Sequence, residues 1–466
     1  MSTRKAFRQR VCEAVADERV VRAVHLATWH KMEARAESMR QLRDPEAICE
    51  LAARIKQHTL ENLPRYLEQF VAQVERSGGC VHFAADADAA RRIICDIAAA
   101  HGAKLAVKGK SMTSEEIHLN DALEAVGVRT VETDLGEFIV QIDHDRPSHI
   151  VTPIIHKDRR QIAQAMTRAT GCAYTEDAEE LTAIARRYLR DIFRRCELGI
   201  TGVNFGVAES GTLCVCTNEG NGRMSSTRPR VHVALMGIEK LVPRLRDLPV
   251  FLKLLARSST GQPLTVYTTL ITGPKRADDP DGPEELHVVL LDNGRSELLA
   301  GEFAEVLRCI RCGACLNACP VYRNIGGHAY GSVYPGPIGS LVTPLLQGLD
   351  EHAELPRASS LCGACRVVCP VKIDIPGLLV RLRARTRRSQ PLLKRVAMRA
   401  WKWMMKSPTR YRWAQWWLPR LLPDCRDGWF RGGPGPLGAW TRSRDLPIPP
   451  KQSFRKLWRE RLSDER

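Results

Sequence analysis

The chain has 466 residues, 44% of them apolar, and a formal charge of +17 at pH 7. Such a length and apolar content exclude a disordered chain and allow two or three domains with sizeable cores. The opening stretch MSTRKAFRQRVCEAVADERV scatters charges where a signal peptide carries an apolar core, and no apolar run is long enough to span a bilayer, so the expectation is a cytoplasmic protein with reduced cysteines.

Residues 1 to about 70 read as helices. Ala14, Val20, Val21, Val24, Ala27 and Trp29 form a loose apolar stripe that continues with breaks at Pro45 and Pro64. Its expected role is a helical layer packed on the next domain. From Cys80 the pattern changes to short strands at 80–84, 104–108, 128–132, 138–141 and 149–152, with helices among them. That alternation argues a mostly parallel α/β sheet, whose ligands gather outside the carboxyl ends of its strands. KGKSMTSEE at 108–116 leaves a strand and opens a helix whose free amides favour an anion, without the G-x4-G-K-[ST] of a P-loop. Further on, Glu209, Asn218, Glu219, Asn221 and Arg223 crowd the tips of two glycine-rich turns, as polar loops or as ligand contacts. Cys214 and Cys216 stand two apart on a strand, share a face and read as core residues. A short helix over 296–307 leads out of this domain.

Cys309, Cys312, Cys315 and Cys319 then form C-x2-C-x2-C-x3-C-P, and Cys362, Cys365 and Cys369 form C-x2-C-x3-C-P. The first is the bacterial ferredoxin run, in which three thiolates hold one cubane and the fourth holds a second cluster. With that crossover Cys309, Cys312, Cys315 and Cys369 hold the first cluster, and Cys319, Cys362 and Cys365 the second. The second is one protein sulfur short, because Ser359 stands three places before Cys362 where a full run has cysteine. Both clusters are expected as [4Fe-4S], the second open to a three-iron form or to a last iron held by Ser359, water, substrate or a partner's side chain. Zinc is disfavoured because its sites take separated pairs in tetrahedral sets of four, and disulfides belong to exported chains. His328, Tyr330 and Tyr334, between the two runs, are expected to pack beside the clusters.

Between Ile375 and Pro423 there is no acidic residue, and Trp401, Trp403, Trp413, Trp416 and Trp417 interleave with Arg and Lys. Such a segment suits a membrane interface, a partner's groove, or packing on its own protein. No nucleic-acid motif accompanies it, so no nucleic acid is expected.

KGKSMTSEE, VETDLGEFIVQ, HIVTPIIHK, GITGVNFGVAESGT, NEGNGRMSS, HVALMGIEKLVP and YTTLITGP resemble the LUD domain. Followed by CIRCGACLNACPVYRNIGGHAYGSVYPGPIGS, they resemble the lactate utilisation protein B family over about residues 70–390. The resemblance implies an α/β LUD domain akin to the CoA-transferase and formyltetrahydrofolate cyclo-ligase class, followed by an α-helical two-cluster ferredoxin-like domain. It implies the same division of the seven cysteines, four and three. The expected domains are a helical segment 1–70, the LUD domain 71–296, the iron-sulfur domain 297–390 and a basic Trp-rich tail 391–466. The implied function is the iron-sulfur electron-transfer subunit of a multiprotein system oxidising L-lactate to pyruvate. Its implied companions are a CCG-domain iron-sulfur protein and a smaller LUD-domain protein, with peripheral contact at the inner face of the membrane through the tail. Two other functions stay open: a stand-alone hydroxy-acid oxidoreductase using the open iron of the second cluster as a Lewis acid, and a cluster-bearing regulator. The resemblance assigns no lactate-binding residue.

Overall fold

Val231–Gly237 is buried at every position, as a strand covered on both faces must be. It lies inside a six-stranded parallel sheet built from β1 (Cys80–Ala84), β2 (Leu105–Lys108), β3 (Arg129–Glu132), β4 (Leu198–Gly202), β7 (Val231–Gly237) and β10 (Glu285–Leu291), in the order β1-β10-β7-β4-β2-β3. The intervening β5 (Phe205–Val207), β6 (Thr212–Thr217), β8 (Leu241–Val242) and β9 (Tyr267–Ile271) form a second sheet, ordered β8-β5-β6-β9. The computed structural model describes residues 6–386, 392–421, 428–432, 438, 441, 444–448, 450 and 452–464. It divides into two units, 1–386 and 387–466.

Two of the expected strands are not strands. Leu135–Ile142 is a helix, and the Asp134 carboxylate caps it by accepting from the Gly136 and Glu137 amides. A short apolar run such as 138–140 fits either period, and the cap decides for the helix. Residues 149–152 form a turn in which His149 Nδ1 accepts from the amides of Val151 at 3.0 Å and Thr152 at 3.1 Å. This local bonding takes the place of a ladder partner. The helix expected over 296–307 is divided into Arg295–Leu299 and the 3-10 turn Ala304–Arg308.

The N-terminal helices are Phe7–Ala16, Glu18–Arg40, Pro45–Glu61 and Leu63–Arg76. Pro45 and Pro64 fall in the first turns of their helices, where a missing amide costs nothing, so they begin helices. Leu63–Arg76 packs beside β1, as a layer on the next domain should. Glu18–Arg40 instead packs on the cysteine-bearing helices Ala314–Ala318 and Pro320–Ile325 and on Leu248–Ser259. One apolar core therefore joins this N-terminal layer, the small sheet and the cysteine module, while further cores flank the parallel sheet. On β6 the sulfurs of Cys214 and Cys216 lie 3.8 Å apart.

In the second unit Leu392–Met405 and Pro408–Leu421 pack on each other. Trp401, Trp403, Trp413, Trp416 and Trp417 on them are exposed. Cys425 lies outside the described residues. Among the described residues no helix is long and apolar enough to cross a membrane.

Candidate iron-sulfur centre

The two cysteine runs share one backbone device. Arg311 and Leu361, each just before a cysteine, take φ of 60° and 57°, and Gly313 and Gly363, each just after it, take 78° and 84°. These left-handed steps curl the chain around a point on the sulfur side. At Gly313 a Cβ would also stand 3.3 Å from Val151 Cγ2 and 3.5 Å from His149 Cε1. Amides inside the loops point at sulfur: Arg311 N donates to Cys309 Sγ at 3.4 Å, Tyr322 N to Cys319 Sγ at 3.5 Å, and Ile373 N to Cys369 Sγ at 3.4 Å. Such bonds favour the thiolate and tune the potential of whatever it ligates.

The seven thiols gather in two groups. Burial pushes Cys315 well up, and its neighbours Cys309, Cys312 and Cys369 push it further. Burial lifts Cys369 to about 11, with Cys309 again a neighbour. In the other group burial pushes Cys365 up to about 12 beside Cys319 and Cys362, and Cys319 stands beside Cys362. Crowded buried thiols resist ionisation until a cation replaces their protons. A tetrahedral zinc would draw its sulfurs to about 3.8 Å from one another. Among the described residues the sets of three ligand atoms within 4.8 Å are His101, Glu285 and His287, and Asp145, His156 and His328. None of the seven thiols belongs to either set, and thiols grouped four and three in ferredoxin-type runs suit two iron-sulfur clusters.

The groups differ at one thiol. Cys312, Cys315 and Cys369 of the first group and Cys319 and Cys365 of the second are buried and Cys309 is half-buried, whereas Cys362 is exposed. Tyr330, buried, stands between them, near both Cys315 and Cys319. Tyr334 is buried too, its hydroxyl donating to Glu116 Oε2 at 2.5 Å. His328 is instead exposed, with its Nε2 2.7 Å from the Arg146 carbonyl oxygen. Tyr330 therefore packs beside the thiols as expected, Tyr334 packs against Glu116 and Arg311, and His328 lies edge-on to His156 with ring centroids 4.4 Å apart.

Buried cations surround the first group. Arg311 lies 4.6 Å over the Tyr334 ring and 3.8 Å from Glu239, with Cys309 close by. Glu239 also binds Arg295 at 2.7 Å, and Arg295 binds Glu116 at 2.8 Å. Lys56 is held down to about 8 by burial, and Glu239 and Cys309 pull against that. From the N-terminal layer Arg35 reaches Val368 O at 3.1 Å, near Cys312 and Cys369. An anionic cluster is the partner that such charges need. Arg311→Met should accordingly lower the reduction potential of the inner cluster, on the order of 60 mV, which for one electron is about tenfold. A redox titration followed by EPR checks this, and an unchanged midpoint would refute it.

Of the polar clusters expected at strand ends, several are structural. Lys108 is fully buried and ion-paired to Glu132 at 2.7 Å and Glu115 at 2.9 Å. Glu209 accepts from the Leu245 amide at 2.9 Å, and Asn218 pairs with Gln262 at 2.8 Å. Arg223 is exposed. Glu219 accepts from Leu135 N at 3.2 Å, which brings it to the start of helix Leu135–Ile142. Asn221 is buried with neither amide atom bonded. The sequence reading missed Lys31, whose Nζ donates to Thr152 Oγ1 at 2.5 Å, and His149, which lies against Gly313. Nothing local marks either.

An α/β domain joined to a helical module for two iron-sulfur clusters is the class that these features define. Family models match accordingly: the LUD domain at residues 67–291, the 4Fe-4S dicluster domain at 305–373, and the lactate utilisation protein B C-terminal region at 383–463. Lactate utilization protein B of Bacillus licheniformis is 45% identical and covers 98% of this chain and 97% of its own. The namesake from Bacillus subtilis is 44% identical over 99% and 97%, and that from Geobacillus thermodenitrificans 48% identical over 88% and 87%. The chain belongs to the lactate utilisation protein B family. A DUF162 family protein from Deinococcus radiodurans superposes on 49% of this chain and 98% of its own with a TM-score of 0.29 and 13% identity, too slight a likeness to define the fold.

Proposed function

We propose that this chain is the electron-transfer subunit of a multiprotein system that oxidises L-lactate to pyruvate. Cys309, Cys312, Cys315 and Cys369 hold the inner [4Fe-4S] cluster, and Cys319, Cys362 and Cys365 the outer one. The observation that carries the reading is the exposure of Cys362, which brings the second thiol group to the surface while the other six thiols are buried or half-buried. The names of the relatives supply lactate.

Oxidation of L-lactate to pyruvate releases two electrons and two protons, and each cluster, when bound, takes up one electron at a time. The chain's own contribution is to bury the inner site among Arg35, Lys56 and Arg311, which favours reduction there. It also keeps Tyr330 packed between the sites. The outer site faces a partner, and the companions are a CCG-domain iron-sulfur protein and a smaller LUD-domain protein. Anaerobic co-purification of all three, with EPR before and after L-lactate, tests the reading. Reduced-cluster signals are expected, and spectra unmoved by L-lactate would overturn it.

The division into 1–70, 71–296, 297–390 and 391–466 belongs to the same proposal, with the tail as a peripheral contact for anionic lipid. Its exposed tryptophans among basic residues support this. A chain ending at residue 395 should keep its iron and lose co-sedimentation with phosphatidylglycerol vesicles. Undiminished sedimentation would show that the tail does not bind lipid.

A further inference from the structure

We propose that the crevice at the carboxyl ends of β2 and β4 binds a small 2-hydroxycarboxylate, with Lys110 and Lys31 holding its carboxylate and Asn221 its hydroxyl. This rests on the lactate-oxidation reading and places the substrate on this chain. The parallel sheet reverses its order at this point, since the chain leaves β2 toward β3 and β4 toward β7 on the other side. Such a reversal opens the crevice in which α/β sheets take their ligands.

Gly109 N donates to Ile200 O at 2.8 Å, so the chain stays paired with β4 one residue beyond β2 and its next residue, Lys110, leaves at the edge of the crevice. A Cβ on Gly109 would lie 3.9 Å from Gly222 Cα, which brings the turn carrying Asn221 to the same place. Lys110 Nζ donates to Val151 O at 2.8 Å and Lys31 Nζ to Thr152 Oγ1 at 2.5 Å. An ammonium has three donors, so each retains two. Among the described residues neither is in ion-pair contact with a carboxylate, although Glu137 and Glu219 lie close enough to Lys110 for it to pull against the burial that raises both. Burial and the nearby Lys110 hold Lys31 down to about 8, a cost that a bound anion relieves.

Asn221 is 6% exposed, and both its Nδ2 and Oδ1 lack a partner. Buried amides without partners are rare and costly. Nδ2 can donate to a carboxylate oxygen and Oδ1 can accept from a hydroxyl, the pair that a 2-hydroxy acid offers. The segment that receives both lysines also touches Gly313, beside Cys312. A ligand held here is one loop away from the inner thiol group.

The test uses the full-length holoprotein, purified anaerobically, with calorimetric titration of L-lactate, propanoate and inorganic phosphate. L-lactate should bind saturably, and propanoate, without the hydroxyl, about tenfold more weakly or worse. Lys110→Met should weaken lactate about tenfold or more, Lys110→Arg should recover most of that, and Asn221→Leu should reduce lactate to the level of propanoate. Iron content equal to wild type shows that each variant is folded. No saturable lactate binding, phosphate binding as tight as lactate, or Lys110→Met and Asn221→Leu both binding like wild type would each overturn the site. If lactate reduces the clusters equally well in Lys110→Met within the assembled system, the site fails and the electron-transfer reading stands. If Lys110→Met abolishes binding while L-lactate leaves wild-type clusters oxidised, the site stands and that reading fails.

Discussion

Cys312→Ser should cost the protein about half of its iron and acid-labile sulfide, since one of two clusters loses a thiolate that a serine hydroxyl replaces poorly. Cys312 is buried, with Cys309 and Cys369 as neighbours and Arg35 nearby. Removing the cluster strips that pocket of the anion that Arg35, Lys56 and Arg311 face. Arg35 then loses the charge that faced it, Arg311 and Lys56 are left to share Glu239, and the metal's binding energy, part of the folding free energy, is lost as well. The variant should therefore melt well below wild type and expose the contact between Glu18–Arg40 and Ala314–Ala318 to proteolysis. Cys214→Ser is the control: its sulfur neighbours Cys216 on β6 rather than the cysteine runs, so iron should be unchanged. Wild-type iron and sulfide in Cys312→Ser would remove Cys312 from the ligand set.

What could be read beforehand was whatever is encoded locally. The spacing from Cys309 to Cys319 expresses the geometry of a cube within a few residues of chain, so it survives without any knowledge of the fold. The parallel sheet was legible because strands buried on both faces leave apolar runs separated by helices. Residues 138–141 were misread as a strand because four apolar or neutral residues carry no period, and the deciding atom was the Asp134 carboxylate just upstream. The seating of Glu18–Arg40 on the cysteine module could not be read at all. Its apolar stripe is the same whichever surface covers it, and only the tertiary fold brings Arg35 to Cys312. Lys31 and Lys110 are 79 positions apart in the chain and meet through the 149–152 turn, which the sequence reading had as a strand. The polar turn at 218–223 is visible in the sequence, but only the fold separates Asn221, buried with neither amide atom bonded, from Asn218, exposed and bonded to Gln262 and the Val266 amide.

Ser359→Cys should convert the outer cluster into one with four thiolates, lower its potential and slow its loss of iron under mild oxidation. The structure strengthens the case for this position beyond spacing. Leu361 N donates to Ser359 Oγ at 3.1 Å, just as Arg311 N donates to Cys309 Sγ at 3.4 Å. Leu361 and Arg311 share left-handed φ values of 57° and 60°, and Gly363 and Gly313 repeat the match one step past the cysteine. Ser359 thus occupies in the second loop the place that Cys309 occupies in the first, with oxygen for sulfur. The loop is also accessible, since Cys362 is exposed and Ser359 half-buried, so the last iron is where water or a partner's side chain can reach it. A cysteine there adds negative charge beside the cluster and makes reduction harder, while closing the coordination that oxidation attacks. If the open iron also meets a partner's ligand, electron delivery from L-lactate through the assembled system should slow in the same variant, with the inner cluster's potential unmoved. EPR and Mössbauer spectra of Ser359→Cys identical to wild type, with equal oxidative stability, would show that Ser359 only closes a turn and faces away from the iron.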